Sequence, residues 1–197
     1  STFNWYWLVD GLQQQGYEPR RIVRLHSTID PQRFYPENIE RDIDVLISAQ
    51  LRERKRPRFT LEVLSEVLKR RPRARFCWLG DGIMHEEFNL MLDEYGLRSH
   101  LTWTVTDNVA DYYRRAQVFL LCSINEGLSL ACMEAMACGM VPVTSDCGDM
   151  ADIVHSGQTG EVLPIAPPAA GYADAVLIFL DHRDHCAQHS EAAGDLM

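Results

Sequence analysis

The chain has 197 residues, of which 46% are hydrophobic and 24% charged, with a formal net charge of -9 and a pI near 5.2. This length suffices to bury a sizeable core, so the composition indicates an ordinary globular domain. The acidic balance excludes a general nucleic-acid-binding protein, which would carry a basic face. No apolar run reaches the ~20 residues of a membrane-spanning helix, and no signal-peptide pattern opens the chain. We therefore expect a cytoplasmic protein, with peripheral membrane association of the full-length protein left open.

In chain order, short apolar strands alternate with amphipathic helices. The predicted strands are 21–26, 44–48, 75–79, 101–104 and 118–122, and the predicted helices between them are 58–71, 85–95 and 109–116. Such alternation predicts an α/β fold, a doubly wound, Rossmann-like parallel sheet with helices on both faces and a ligand at the carboxyl ends of the strands. Alternation continues to residue 163, a proline-containing break covers 164–171, and a last helix is predicted over 172–180. We expect residues 1–197 to form a single domain.

The most informative segment follows the strand at 118–122. A glycine loop around Gly127 leads to Ser129, which has the character of an N-cap, and a helix is predicted over 130–138. Gly139 is predicted to end that helix, and a further strand begins at 140. A strand, a glycine loop and a helix N-terminus together offer unpaired N–H groups and a positive dipole end, which favour a phosphate.

Glu134 is a charged residue inside this otherwise apolar helix, which we expect to be buried on all sides. An ionised carboxylate buried without partners costs several kcal/mol, so it needs a role. A lone glutamate of this kind usually does no more than favour the helix dipole. Glu126, eight residues earlier beyond the glycine loop, shifts the balance toward a ligand site.

Glu126 and Glu134 flank Gly127 to Leu130 and are followed by Gly139, a pattern that resembles the E-x7-E signature of group 1 (family 4-like) glycosyltransferases. The family usually reads Glu-Gly-Phe-Gly-Leu, where this chain has Leu128 and Ser129 in place of Phe and the second Gly. Residues 146–154 and 156–160 resemble the family's closing segment, so the likeness spans most of the chain.

The resemblance implies a retaining enzyme of the GT-B fold, which has two Rossmann-like domains. The motifs found here all belong to the carboxyl-terminal, donor-binding domain. The resemblance therefore implies that the amino-terminal acceptor domain is absent from this chain and that a last helix, which crosses back to it, is cut short.

The loop after the strand at 44–48 is similar to the family's Gly-Arg-Leu-x-x-x-Lys-Gly, whose Arg and Lys neutralise the leaving diphosphate. Lys55 matches the lysine, but Gln50 occupies the arginine position. The remaining arginines of the loop either reach into the site or form a solvated basic surface; they are Arg52, Arg54 and Arg56. We favour the solvated surface for the arginines and the site for Lys55.

Gly80 and Gly82 follow a strand and imitate the start of a dinucleotide fingerprint, but His85 replaces its third glycine, which argues against a dehydrogenase. In the resembled family this glycine turn lines the donor cleft. By the same similarity, the backbone around Val105 would meet the nucleotide base.

The implied reaction transfers a sugar, of hexosyltransferase type, from a nucleotide-diphosphate sugar to an acceptor hydroxyl of a glycan, lipid or small molecule. Lys55 and Glu126 are the expected catalytic residues, with Glu126 orienting sugar hydroxyls and Glu134 gripping the ribose. The remaining expected donor contacts are Gly127, Leu128, Ser129, Leu130, Gln50, Gly80, Gly82 and Val105. The resemblance implies no metal or other cofactor, a role in polysaccharide biosynthesis, and an isolated domain that is inactive without its own amino-terminal domain.

Two alternatives stay open. A GT-B nucleotide-sugar epimerase would share the architecture, although the E-x7-E spacing favours a transferase. A non-catalytic nucleotide-sugar-binding domain is motivated by Gln50 and by the absent partner domain.

The cysteines and the C-terminal histidines are separate features. The cysteines contain no C-x-x-C pair and are expected to be reduced core residues; they are Cys77, Cys122, Cys132, Cys138, Cys147 and Cys186. His182, His185 and His189 share a helical face, where a metal site or a solvated surface could form, and the polar surroundings favour the solvated surface.

Overall fold

The computed structural model describes residues 5–18, 28–165 and 168–181. The strand predicted at 21–26 lies outside the described residues, and so do Cys186 and the three histidines of the C-terminal segment. Among the residues described, no helix combines the length and the apolar character that crossing a lipid bilayer would require.

Helices and strands alternate as the sequence predicts. The strands are β1 (Ile43–Ser48), β2 (Phe76–Leu79), β3 (Leu101–Thr104), β4 (Ala116–Leu121), β5 (Val141–Ser145) and β6 (Glu161–Leu163). The helices are α1 (Trp5–Gln14), α2 (Pro57–Arg70), α3 (His85–Glu94), α4 (Val109–Arg115), α5 (Leu130–Ala137) and α6 (Ala169–Asp181).

The strands form one parallel sheet of six, in the order β3-β2-β1-β4-β5-β6. The chain moves outward from β1 to β3, returns to the centre at β4 and then continues to β6. This order is that of a doubly wound Rossmann-type sheet, whose switch point lies between β1 and β4. The predicted fold class is confirmed.

Each face of the sheet carries its own hydrophobic core. Helices α2, α3 and α6 pack on one face with Val45 and Ile47 of β1, while α4 and α5 pack on the other with Leu46. Because β1, β2, β4 and β5 are covered on both sides, their side chains are buried almost without interruption, as is typical of parallel strands.

Two helices differ from the sequence-based prediction. No element was predicted over Trp5–Gln14, where the structure has α1. The last helix begins at Ala169, three residues earlier than predicted, and the carbonyl of Pro168 accepts a hydrogen bond from the Gly171 N–H at 3.0 Å. Proline is tolerated at the start of a helix because its missing N–H would have no helical partner there, so Pro168 starts this helix instead of delaying it.

Candidate functional site

The loops that follow β1 and β4 meet at the switch point of the sheet. The Ile124 N–H of the β4 loop donates a hydrogen bond of 3.0 Å to the carbonyl of Arg54 in the β1 loop. A crevice at the carboxyl ends of two strands that diverge in this way is the usual ligand position in a doubly wound sheet. The backbone bond holds the two loops at a fixed separation.

A cavity of about 440 Å³ opens beside these loops at the carboxyl ends of β1, β2 and β3. Its lining residues are Ser48, Ala49, Gln50, Arg54, Lys55, Leu79, Gly80, Val105, Thr106 and Val109. Four of the predicted site residues are therefore brought together, namely Gln50, Lys55, Gly80 and Val105. The side chain of Val105 is 69% exposed and is accessible to a ligand.

Two tryptophans fix the backbone that floors the cavity. The Trp78 indole N–H donates to the carbonyl of Ala49 at 3.0 Å, and the Trp103 indole N–H donates to the carbonyl of Gly80 at 2.9 Å. Gly80 has a φ of 126°, and a Cβ there would overlap the Ala49 carbonyl oxygen. Only glycine fits this position.

Gly82 is not among the residues that line the cavity within the described part of the chain. A Cβ at Gly82 would lie 2.5 Å from the Leu51 carbonyl oxygen and 2.9 Å from the Leu51 nitrogen. Its place is set by close packing of the two loop backbones, so Gly82 shapes the β1 loop while Gly80 lines the cavity.

Lys55 and Glu126 form an ion pair across the switch point. The Lys55 Nζ donates to Glu126 Oε1, and the side chains are only 11% and 10% exposed. Lys55 stands at the end of a short 3-10 helix, Glu53–Lys55, and Glu126 lies in the loop after β4. Two residues that are 71 positions apart in sequence are thus joined where the parallel strands diverge.

Arg54 contradicts the expectation that the arginines of the β1 loop are only a solvated surface. It lines the cavity, its Nη1 lies 3.7 Å from Glu126 Oε2, and the same nitrogen donates to the carbonyl of Asn125 at 3.4 Å. Arg56 is also engaged, because its guanidinium lies 3.8 Å from the centre of the Phe59 ring. Arg52 is exposed and is not among the lining residues.

Ser129 caps α5 as predicted. Its Oγ accepts a hydrogen bond from the Cys132 N–H at 3.4 Å. At the other end, Gly139 has a φ of 79° and its N–H donates to the Met136 carbonyl, while the Met140 N–H donates to Ala135. These two bonds form a Schellman motif, which confirms Gly139 as the C′ residue.

The prediction that α5 is buried on all sides is wrong. Leu130 is 46% exposed and Ala131, Met133 and Glu134 are half-buried, while Cys132 and Ala135 face the core. The apolar composition of α5 therefore covers a face that remains partly accessible. Glu134 lies on this accessible face, so its carboxylate can reach a ligand without crossing the core.

Burial raises the pKa of Glu134 above its usual value, and the positive charge of Arg33 opposes that rise. Glu134 also helps to raise the pKa of Tyr113 on the neighbouring α4, where desolvation is the larger cause. The Tyr113 hydroxyl has a hydrogen bond with Ser48, which lines the cavity. Glu134 and the segment 127–130 are not among the lining residues, and Tyr113 connects Glu134 to the cavity wall.

Gly148 is a positioning residue that the sequence did not single out. Its φ is 61°, and a Cβ there would overlap the carbonyl oxygen of Glu126 and lie 2.5 Å from that of Gly127. The Asp149 N–H also donates to the Gly127 carbonyl at 3.4 Å. The loop after β5 thus supports the Glu126 loop from below. A glycine in the segment 146–154 was the available signal, but only the fold brings it against Glu126.

We expect Gly148→Ala to displace the Glu126 loop. A left-handed alanine and a backbone overlap together should lower the free energy of unfolding by about 2 to 4 kcal/mol. Gly157→Ala is the matched control, because Gly157 has a φ of 73° with open space where a Cβ would lie. Its cost should be about 1 kcal/mol. Chemical denaturation measures both, and equal losses would show that the contact with the Glu126 loop does not matter.

The five cysteines among the described residues are free and buried, as predicted. Burial raises the pKa of the Cys122 thiol to about 12. A thiol in such surroundings stays protonated and unreactive, so these cysteines serve packing.

A parallel sheet of this order, with a cation, a capped helix and a cavity at its switch point, defines a nucleotide-binding domain of the Rossmann type. The family described as "Glycosyl transferases group 1" matches residues 29–195. The chain belongs to this family, and its fold is that of one half of a GT-B enzyme, as the E-x7-E resemblance predicted.

Among curated proteins, the phosphatidylinositol N-acetylglucosaminyltransferase gpi3 subunit of Schizosaccharomyces pombe is 22% identical over 172 residues, which is 84% of this chain and 38% of that protein. This chain thus spans well under half of the length of that relative.

Two solved structures share the fold. S. aureus TarM, in complex with Fondaparinux, alpha-GlcNAc-glycerol and UDP, has a TM-score of 0.82 and 17% identity, covering 98% of this chain and 38% of TarM. The C-terminal domain of the group 1 protein LpcC from Francisella tularensis has a TM-score of 0.75 and 18% identity, covering 86% of this chain and 96% of that domain.

Proposed function

We propose that this chain is the donor-binding domain of a retaining glycosyltransferase that moves a sugar from a nucleotide-diphosphate sugar to an acceptor hydroxyl. The observation that carries the proposal is the Lys55–Glu126 pair at the switch point, beside a cavity that Lys55 also lines. A cation for a departing diphosphate and a carboxylate for sugar hydroxyls stand side by side there. Family membership and the UDP bound to TarM agree with a nucleotide donor.

In this proposal the protein contributes mostly electrostatics and positioning. Lys55 and the N–H groups at the start of α5 stabilise the negative charge that develops on the diphosphate. Glu126 accepts hydrogen bonds from sugar hydroxyls near the anomeric carbon, and Glu134 accepts them from the ribose. The base lies toward Val105, which is 69% exposed.

No metal or other cofactor is required by this scheme, because Lys55 and the helix N-terminus supply the positive charge that a divalent cation would otherwise provide. The proposal also includes an acceptor and an amino-terminal domain that would hold it. Residues 1–197 are proposed as one domain, which binds donor but needs the acceptor domain for turnover.

A non-catalytic nucleotide-sugar-binding domain is the second candidate. It is favoured by Gln50, which lines the cavity with a neutral amide at the position where the family places an arginine. Loss of a bidentate cation would remove a few kcal/mol of transition-state stabilisation, roughly ten- to a hundredfold or more in rate.

A thermal-shift panel of uridine, guanosine and adenosine diphosphates and their sugars tests the proposed binding. A ligand at about a hundred times its Kd adds about 2.7 kcal/mol to the free energy of unfolding. For a chain of this size we expect the Tm to rise by about 5 to 10 °C. Orthophosphate at equal concentration is the control for nonspecific anion binding, and a panel without any nucleotide-dependent shift would contradict the proposal.

Incubation of the full-length protein with labelled donor separates the catalytic alternatives. A transferase gives free nucleoside diphosphate and a new glycoside, an epimerase gives an isomeric donor, and a binding domain leaves the donor unchanged. The stereochemistry of the glycoside then distinguishes retention from inversion.

A further inference from the structure

The positive charge of the cavity comes from two neighbouring residues of the β1 loop. Among the described residues that line it, Arg54 and Lys55 are charged and both are cations, while Gln50 is neutral. Lys55 already pairs with Glu126. A diphosphate that joins a nucleoside to a sugar carries more than one negative charge, so one partly neutralised lysine leaves that charge incompletely matched.

Arg54 is placed to supply the missing cation. Its backbone is held by the short 3-10 helix Glu53–Lys55 and by the Ile124 N–H on the Arg54 carbonyl. The side chain is 49% exposed, so part of the guanidinium is open to solvent on the side of the cavity. The guanidinium donates to the Asn125 carbonyl through Nη1.

The other arginines of this loop do not take this place. Arg52 is exposed and outside the described lining of the cavity. Arg56 has its guanidinium over the Phe59 ring and donates to the Ile165 carbonyl. The position of Arg56 is further fixed by its left-handed backbone, with a φ of 51° immediately before α2.

We propose that Arg54 binds the diphosphate of the donor and replaces, from four residues along the loop, the cation that Gln50 lacks. This inference rests on the proposed function. An arginine offers several N–H donors in a planar fork that matches phosphate oxygens, so it can engage the diphosphate while Nη1 stays near Asn125.

Binding of UDP, UMP and uridine to Arg54→Ala and to the matched control Arg52→Ala tests the assignment by calorimetry. For Arg54→Ala we expect UDP affinity to fall about tenfold or more, the loss for UMP to be smaller and that for uridine absent, because a charge-assisted hydrogen bond to phosphate is removed. Arg52→Ala should bind all three ligands like the wild type. A purely structural role for Arg54 would weaken the three ligands equally.

The double variant Gln50→Arg/Arg54→Ala provides a rescue. If the two positions exchange the same cation, UDP affinity should return toward the wild-type value. An unchanged UDP affinity in Arg54→Ala, an equal loss for all three ligands, or a double variant without rescue would overturn the inference while wild-type UDP binding leaves the proposed function intact. A wild-type chain that binds none of the nucleoside diphosphates in the thermal panel would overturn both.

Discussion

Lys55→Met should weaken nucleoside-diphosphate binding about ten- to a hundredfold, as expected for the loss of a charge-assisted hydrogen bond of roughly 1.5–3 kcal/mol. The same change leaves the Glu126 carboxylate, whose side chain is 10% exposed, without its ammonium partner. We therefore expect the free energy of unfolding to fall by about 1 to 3 kcal/mol, with Arg54 at 3.7 Å limiting the loss. Calorimetric titration with UDP and urea denaturation measure the two effects.

The double variant Lys55→Met/Glu126→Gln separates stability from function. Removing both charges should restore much of the unfolding free energy, because no unpaired carboxylate remains, while UDP affinity stays low. Lys69→Met is the surface control, since Lys69 is 65% exposed and pairs with Glu66 on one helix. It should change stability by less than about 1 kcal/mol. UDP affinity in Lys55→Met equal to that of the control would refute the assignment of Lys55.

Glu134→Gln should weaken nucleoside-diphosphate binding by roughly tenfold or more and at the same time stabilise the unliganded protein. Burial raises the pKa of Glu134 in the folded protein, so its ionised form is less favourable there than in the unfolded chain. The resulting stability is fully present below the unfolded pKa of about 4.3 and is lost as the pH rises through the folded pKa. Glutamine cannot ionise and keeps that stability at neutral pH.

Urea denaturation of wild type and Glu134→Gln at a series of pH values therefore should give curves that separate as the pH rises. The affinity of the wild type for UDP should also rise with pH as Glu134 ionises, because ribose hydroxyls donate to the carboxylate. That dependence should be weaker in Glu134→Gln. Glu62→Gln, at an exposed position of α2, is the control. Identical UDP affinity in both variants would refute the role of Glu134.

The order of strands and helices could be predicted from the sequence because each central strand is a short apolar run covered on both faces. The Ser129 cap and the Gly139 end of α5 also follow from local chemistry. Where the prediction was wrong, tertiary surroundings decided. An apolar composition marks α5 as buried, yet which of its faces stays accessible depends on the neighbouring α4, which sequence periodicity does not reveal.

The site was predictable in its parts and not in its arrangement. Family resemblance points to Lys55 and Glu126 separately, but their direct pairing depends on the adjacency of β1 and β4 in the sheet. Arg54 looked like one basic residue among several in a charged loop. Gly148 matters because of a left-handed backbone angle and a contact with Glu126, and neither can be read from the presence of a glycine alone.

The Lys55–Glu126 pair also means that the site carries an internal counter-ion. A diphosphate that engages Lys55 competes with a carboxylate already in place, so ligand entry is an exchange of partners at the lysine. A simple anion can replace one oxygen of that carboxylate but offers nothing to the glutamate it displaces. A sugar nucleotide supplies both an anion for Lys55 and hydroxyl groups for Glu126, and we therefore expect the pair to discriminate against the common anions of the cell.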